Sequence, residues 1–146
     1  MPPMHPGDGI RLSVRNNLTD LRSLQESVCG FLQRRAVPTE VIYNVRLALE
    51  EILTNTIKFG YPDALPHEIA VNLTLAPGEV ILVIEDDARA FDPQTAPKPD
   101  LTLPVEQRPI GGLGLHLVRS LSSRMTYLRQ NDKNILELRF RRSAAE

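Results

Sequence analysis

Hydrophobic residues alternate with polar residues in some stretches of the chain and recur every three or four residues in others. Alternation is typical of a half-buried strand, and the longer period is typical of an amphipathic helix. The first half of the chain has one short alternating stretch at residues 10–14, followed by two helical patterns. Asn17 or Thr19 is positioned to cap the first helix, while Thr39 opens a second helix that Gly60 ends. The first half therefore predicts the order β-α-α.

The second half predicts two hairpins separated by a third helix. Residues 69–75 alternate, the turn APGE follows, and the run VILVIE is almost entirely apolar, which predicts a strand buried on both faces. The glycine-rich GGLG opens the third helix, and alternating segments around NDKN form the closing hairpin. This order predicts a two-layer α/β sandwich, in which helices cover a mixed β-sheet. We expect the domain to span residues 10–142, after a disordered tail at residues 1–9.

A long proline-rich segment precedes the third helix. Residues 92–110 contain five prolines and few apolar residues. Irregular loops of this length are uncommon within a compact domain and frequently act as lids over a binding site. We therefore predict a lid at about residues 92–110.

Composition narrows the class of protein. The 146 residues carry a formal net charge of -1, which offers no basic footprint, so no direct nucleic-acid partner is expected. No apolar run approaches the roughly 20 residues of a membrane span, so no membrane association is expected. Cys29 is the single cysteine, which excludes an internal disulfide and favours a cytoplasmic location.

The helical stretch LALEEILTNTIKFGY carries polar residues close to its apolar face. Because each helical residue turns by about 100°, Glu51 and Asn55 lie on one face, whereas Glu50 points about 140° away from Asn55. A carboxylate and an amide oxygen on one face could hold Mg²⁺ and orient a nucleophile. The same spacing also fits a solvated helical face.

Two further motifs carry candidate chemistry. In VIEDDARAFDP, Asp86 ends a buried strand, where its carboxylate could accept a hydrogen bond from the exocyclic amine of an adenine. A turn-forming role and cation binding are the alternatives for this aspartate. In GGLGLH, Gly111, Gly112 and Gly114 expose backbone N–H groups before a helix, which suits a phosphate, although hinge glycines fit the same pattern.

The order of these motifs resembles the GHKL ATPase superfamily, which includes gyrase, heat-shock chaperones and histidine kinases. Within it, EEILTNTIKFGYPD, EDDARAFDP and IGGLGLHLVRSL are similar to the anti-sigma-factor serine kinases, and the resemblance covers about residues 10–142. It implies a histidine-kinase-like ATP-binding fold, ATP and Mg²⁺ as ligands, and a mobile lid between two glycine boxes.

The resemblance also implies roles for individual residues. Glu51 matches the general base and Asn55 the Mg²⁺ ligand, so that their helix forms a wall of the site. Asp86 matches the adenine-binding aspartate, and Gly112 and Gly114 match the glycines whose amides meet the phosphates. The other implied members of the nucleotide site are Ala88, Phe91, Leu113 and Arg108. Lys98 or Arg108, both in the lid, is a candidate to meet the γ-phosphate, and a solvated loop charge is the alternative.

Two positions depart from the family's pattern. Ala88 stands where the first glycine box has a glycine, so its methyl group is expected to crowd the adenine or to require a different turn. The family often has a threonine before the last strand that supports the adenine-binding aspartate, and the turn DKNILE contains none.

For function, the resemblance implies a protein serine kinase that sequesters a sigma factor and phosphorylates a serine of a STAS-domain anti-anti-sigma protein. It also suggests a homodimer. Two other interpretations are a non-catalytic module, in which ATP sets the shape of a partner-binding surface, and an ATPase coupled to dimer closure. Glu51 favours the kinase over the module, because pure binding needs no base.

Overall fold

The computed structural model describes residues 8–95, 102–104 and 112–142. Within these residues the elements follow the predicted order β-α-α-β-β-α-β-β. The strands are β1 Asp8–Arg15, β2 Glu68–Ala76, β3 Glu79–Asp86, β4 Arg124–Gln130 and β5 Lys133–Arg141. The helices are α1 Leu18–Arg34, α2 Thr39–Phe59 and α3 Gly112–Leu121, with a 3₁₀ turn at Pro93–Thr95. Because β1 begins at Asp8, Asp8 and Gly9 belong to the sheet and not to the expected tail.

The five strands form one sheet in the order β1-β2-β3-β5-β4, and every neighbouring pair among them is antiparallel. The α/β sandwich is confirmed, but its sheet is antiparallel rather than mixed. The last hairpin explains the difference. β4 runs parallel to β3, but β5 turns back and inserts between them, so no two parallel strands become neighbours.

Local sequence sets the ends of the elements. Asn17, rather than Thr19, caps α1, since its side chain accepts a hydrogen bond from the backbone N–H of Asp20 at 2.8 Å. In the last hairpin, Asn131 and Asp132 adopt φ of 54° and 59°. Asn and Asp tolerate this left-handed conformation better than other non-glycine residues, and two such residues match the twist of a two-residue hairpin.

The core lies between one face of the sheet and the helices. Its fully buried side chains include Val28, Leu32, Leu49, Leu53, Ile69, Val71, Leu73, Leu82, Leu138 and Phe140. Each buried side chain of this kind contributes about 1.5–3 kcal/mol to folding. On the opposite face of β3, Ile81 is buried as predicted, whereas Val83 is half-buried. No helix in the described part of the chain is long and apolar enough to cross a membrane.

The helix-facing rows of β3 and β5 end in polar residues. Asp86 and Asn134 lie directly opposite each other in the β3–β5 pairing and are 6% and 7% exposed. The apolar core therefore gives way to a buried polar pair at one edge of the sandwich. This edge is where the candidate site lies.

Candidate functional site

An open cavity of about 380 Å³ lies between the C-terminal half of α2 and the ends of β3 and β5. Ile52, Ile84 and Leu136 supply apolar walls, and Asn55 and Asp86 supply polar groups. Small-molecule sites in proteins are usually concave, mostly apolar and equipped with a few placed polar groups. The cavity therefore has the size and lining of a site for a small, partly apolar ligand.

Asp86 is the buried acid of this cavity. Its Oδ1 accepts a hydrogen bond from Asn134 Nδ2 at 2.8 Å and another from the backbone N–H of Ala88 at 3.1 Å. Burial raises the pKa of the Asp86 carboxyl above its usual value, and the two N–H donors and the Arg129 guanidinium oppose that rise. Both described bonds end on Oδ1. The carboxylate is thus held in one orientation with acceptor capacity left on Oδ2.

Asn134 is the residue that the sequence analysis missed. Besides Asp86, its Nδ2 reaches the carbonyl oxygen of Arg89 at 3.0 Å, and its Oδ1 accepts from the hydroxyl of Tyr127 and from the backbone N–H of Phe91. One side chain thus connects β5, β4 and the segment after β3 to the buried acid. Asn134 thus supports the aspartate for which the resemblance implied a threonine. The local sequence DKN does not predict the bond from Asn134 to Asp86, because only the strand register places the two residues opposite each other.

Ala88 lies in a turn whose backbone conformation suits an alanine. It is not among the described residues with positive φ, so the backbone at this position does not demand a glycine. Its side chain is 4% exposed and packs beside Gly60, where a Cβ built on that glycine would lie only 2.8 Å from the Ala88 Cβ. The glycine at the end of α2 therefore makes room for the Ala88 methyl group, at a position for which the resemblance implied a glycine. Ala88 still borders the cavity.

The segment after β3 is tied to β4 by two further hydrogen bonds. Arg129 Nη1 donates to the carbonyl oxygen of Ala88 at 2.8 Å, and Gln94 Nε2 donates to that of Met125 at 2.6 Å. Phe91 and Pro93, which lie between these anchors, line the cavity. The first residues of the predicted lid, 92–95, are thus attached to the sheet. Residues 96–101 and 105–110 of the predicted lid lie outside the described residues, as does residue 111, which follows it.

On α2, the two adjacent glutamates face different surroundings. Glu50 is exposed and borders a separate groove between α1 and α2, away from the cavity. Glu51 is half-buried and lies against the first turn of α3, where a Cβ built on Gly114 would be 2.0 Å from Glu51 Oε2. Asn55, one turn later on the same face, lines the cavity. The helix therefore forms a wall of the site, with Asn55 at the cavity and Glu51 beside α3.

The structure brings most of the implied site residues to this edge. Asn55, Asp86, Ala88 and Phe91 line the cavity, and Glu51 and Gly114 meet beside it. Gly112 and Leu113 belong to the first turn of α3, and the side chain of Leu113 lies outside the described part of the structure. Lys98, Arg108 and Gly111 also lie outside the described residues.

A charged cluster borders the same edge on the loop between α2 and β2. His67 Nδ1 lies 3.1 Å from Asp87 Oδ2, and His67 Nε2 lies 2.8 Å from Asp63 Oδ1. Two ionised carboxylates can both accept a hydrogen bond from the ring only when His67 is the protonated imidazolium, so they favour that form. These bonds raise the pKa of His67, and its ring stacks on Tyr61 with centroids 4.3 Å apart. The cluster joins the α2–β2 loop to the residue that follows Asp86.

Comparison with known proteins identifies relatives. A family model described as Histidine kinase-like ATPase domain matches residues 14–140. The serine-protein kinase RsbW of Listeria monocytogenes is 26% identical over 125 residues, which cover 83% of this chain and 78% of that protein. The serine/threonine-protein kinase BtrW of Bordetella bronchiseptica is 30% identical over 96 residues, covering 66% of this chain and 68% of that protein.

A solved structure shares the fold. The crystal structure of the RsbU and RsbW domains of Rv1364c from Mycobacterium tuberculosis matches with a TM-score of 0.63 at 12% identity. The match covers 93% of this chain and 32% of that chain, so this protein spans about a third of the mycobacterial one. The two proteins thus share the α/β fold over most of this chain. By the span of its family match, the chain belongs to the histidine kinase-like ATPase family.

Proposed function

We propose that this protein binds ATP with Mg²⁺ and transfers the γ-phosphoryl group to a serine of a protein partner. The observation that carries the proposal is the buried carboxylate of Asp86, held by Asn134 in a cavity whose wall also presents Asn55. Burying a carboxylate is costly, so a site that keeps one next to an open cavity suits a ligand that bonds to it. The similarity to proteins named serine-protein kinases supports the reaction type.

Asp86 would recognise the adenine base. The exocyclic amine of adenine is a donor, and Asp86 Oδ2 is an acceptor next to the fixed Oδ1. The apolar walls formed by Ile52, Ile84 and Leu136 suit the faces of a purine ring. A guanine would present its carbonyl oxygen at the same place, opposite the carboxylate. The site is therefore proposed to prefer adenine.

Asn55 would provide the protein's oxygen ligand to Mg²⁺. In phosphate sites Mg²⁺ is usually held by few protein oxygens together with phosphate oxygens and water. Asn55 fits this pattern, because its side-chain amide offers an oxygen donor and the residue lines the open cavity. The ion would neutralise phosphate charge, and the backbone N–H groups of the first turn of α3 would receive the phosphates.

Glu51 would act as the general base. Its carboxylate would take the proton from the hydroxyl of the acceptor serine as that oxygen bonds to the γ-phosphorus. The bond from the γ-phosphorus to the bridging oxygen breaks, and ADP leaves. Glu51 lies one helical turn before Asn55 on the same face of α2, so the proposed base and the proposed metal ligand would be neighbours.

The partner assignments follow from the resemblance to the anti-sigma-factor serine kinases. The acceptor would be a serine of a STAS-domain anti-anti-sigma protein, and the kinase would also sequester a sigma factor. We also propose a homodimer in the cytoplasm. Residues 92–110 would form the lid, with Lys98 or Arg108 reaching the γ-phosphate.

The test is a phosphotransfer assay with variants of three residues on α2. The unaltered protein is incubated with γ-labelled ATP, Mg²⁺ and the STAS-domain proteins of the same cell, and phosphoserine is scored by mass spectrometry. Glu51→Ala should keep ATP affinity and lose about 10²- to 10⁴-fold in transfer rate. Asn55→Ala should lose Mg²⁺-dependent ATP binding as well as transfer.

Glu50→Ala is the matched control, because it removes the same side chain one residue away, in the exposed groove between α1 and α2. It should retain both ATP binding and transfer. If Glu50→Ala abolishes transfer while Glu51→Ala does not, the assigned base is wrong. If the unaltered protein binds ATP and phosphorylates no partner, the non-catalytic binding module replaces the kinase.

A further inference from the structure

We infer that Gly114 is a positioning residue for Glu51, a role distinct from offering a backbone amide to phosphate. This inference rests on the proposed function of Glu51 as the base. It concerns the side of Gly114 that faces α2, where a β-carbon would lie in any other residue.

The contact is too close for any side chain at position 114 while Glu51 keeps its position. A Cβ built on Gly114 would lie 2.0 Å from Glu51 Oε2, 2.4 Å from its Cδ and 3.0 Å from its Oε1. Real Cβ atoms essentially never lie within 3.0 Å of another nonbonded heavy atom, so the Glu51 carboxylate occupies the space of the absent methyl group. Among the described residues, apart from the chain neighbours of Gly114 and the nearby backbone of α3, the three atoms closest to that space all belong to the Glu51 carboxyl group.

This arrangement has a specific consequence for a substitution. In Gly114→Ala the methyl group meets the flexible end of the Glu51 side chain, and none of the three nearest atoms given above belongs to the backbone. The fold can therefore adapt by moving the Glu51 carboxylate. Gly60 provides the contrast, because a Cβ there would meet the backbone oxygen of Thr56 at 2.6 Å. The backbone N–H groups at the start of α3 remain in Gly114→Ala. The variant therefore displaces the base while leaving the proposed phosphate contacts in place.

The experiment compares Gly114→Ala with Gly30→Ala, a control in the middle of α1 whose added Cβ would meet only the end of the Arg34 side chain at 3.1 Å. Displacement of a catalytic group by about 1 Å can cost 10²-fold in rate. We expect Gly114→Ala to lower the rate of transfer about 10²-fold with ATP affinity changed less than about threefold. Gly30→Ala should match the unaltered protein in both. A loss of ATP affinity in Gly114→Ala that accounts for the loss of transfer would overturn the inference in favour of a phosphate-binding role alone.

A rescue variant tests the contact itself. Glu51→Asp shortens the side chain by one methylene and withdraws the carboxylate from the added methyl group. In a double-mutant cycle, Glu51→Asp should lower transfer clearly in the unaltered background and little or not at all in Gly114→Ala. Multiplicative effects of the two substitutions would show that the residues act independently, and would refute the inference.

A readout without activity separates this inference from the proposed function. The carboxyl carbon of Glu51 is followed by NMR in the nucleotide-free protein and assigned from its loss in Glu51→Gln. Its chemical shift should change in Gly114→Ala and stay unchanged in Gly30→Ala. An unchanged shift in Gly114→Ala refutes the contact even if the protein is a kinase. A changed shift with no phosphotransfer by the unaltered protein supports the contact and counts against the kinase.

Discussion

Replacement of Asn134 by alanine removes the side chain that fixes Asp86, and the size of the effect follows from its hydrogen bonds. The charge-assisted bond to Asp86 Oδ1, at 2.8 Å, is worth about 1.5–3 kcal/mol, and the neutral bond to the Arg89 carbonyl, at 3.0 Å, about 0.5–1.5 kcal/mol. Water entering from the open cavity recovers part of this loss. We expect the free energy of unfolding to fall by about 2–4 kcal/mol.

ATP affinity should fall in the same variant. Of the two described hydrogen bonds to Asp86, only that from the backbone N–H of Ala88 remains, so the carboxylate is less well oriented. Loss of the Asn134 donor also raises the pKa of Asp86 further, since that bond opposes the effect of burial. We expect at least a tenfold loss of ATP affinity, equivalent to about 1.4 kcal/mol.

Urea unfolding followed by circular dichroism gives the stability, and calorimetry gives the ATP affinity. Asn134→Thr restores one hydroxyl donor toward Asp86 and should recover most of the ATP affinity. Asn72→Ala is the matched control, because Asn72 is a comparably buried asparagine on β2. Its one described side-chain hydrogen bond is accepted from Arg11, away from the cavity. It should cost about 1 kcal/mol in stability and leave ATP affinity unchanged.

Either of two results would refute the support of Asp86 by Asn134. One is an Asn134→Ala variant with unaltered urea midpoint and ATP affinity. The other is equal loss of ATP affinity in Asn134→Ala and Asn72→Ala, which would indicate a general loss of stability and no specific support of Asp86.

Three further predictions concern the same edge of the molecule. Asp86→Asn should abolish ATP binding in calorimetry without lowering stability at pH 7, because the folded pKa of Asp86 is raised and its ionisation therefore opposes folding at that pH. An ATP affinity equal to that of the unaltered protein would contradict the role of Asp86 in binding adenine. Hydrogen exchange in residues 92–110 should slow when ATP and Mg²⁺ are added, and equal protection in both states would count against a lid. The two carboxylate partners of His67 raise its folded pKa, so its contribution to stability is present below pH 6.5 and is lost as pH rises through the folded pKa. Urea midpoints measured across this range should show that loss in the unaltered protein and not in His67→Gln. Parallel curves for the two proteins would refute the ion pairs of His67 with Asp63 and Asp87.

Much of this protein was predictable from local sequence. The order of elements, the apolar periodicity of α2 and the acidic end of β3 all depend on residues close together in the chain. Helical phase alone separates Glu50 from Asn55, and the structure puts the two residues at different surface features. The motif order likewise led to the family that the comparison establishes.

Tertiary structure decided how distant residues meet. The pairing of β5 with β3 makes the sheet antiparallel and sets Asn134 opposite Asp86, and no local pattern fixes which strand becomes the neighbour or in which register. The space that Gly60 leaves for Ala88 and that Gly114 leaves for Glu51 depends on packing between segments far apart in the chain. Periodicity determines which face a side chain occupies, because it is a property of one element. The partner on that face is determined only when several elements pack together, because contact distances depend on the arrangement of all of them.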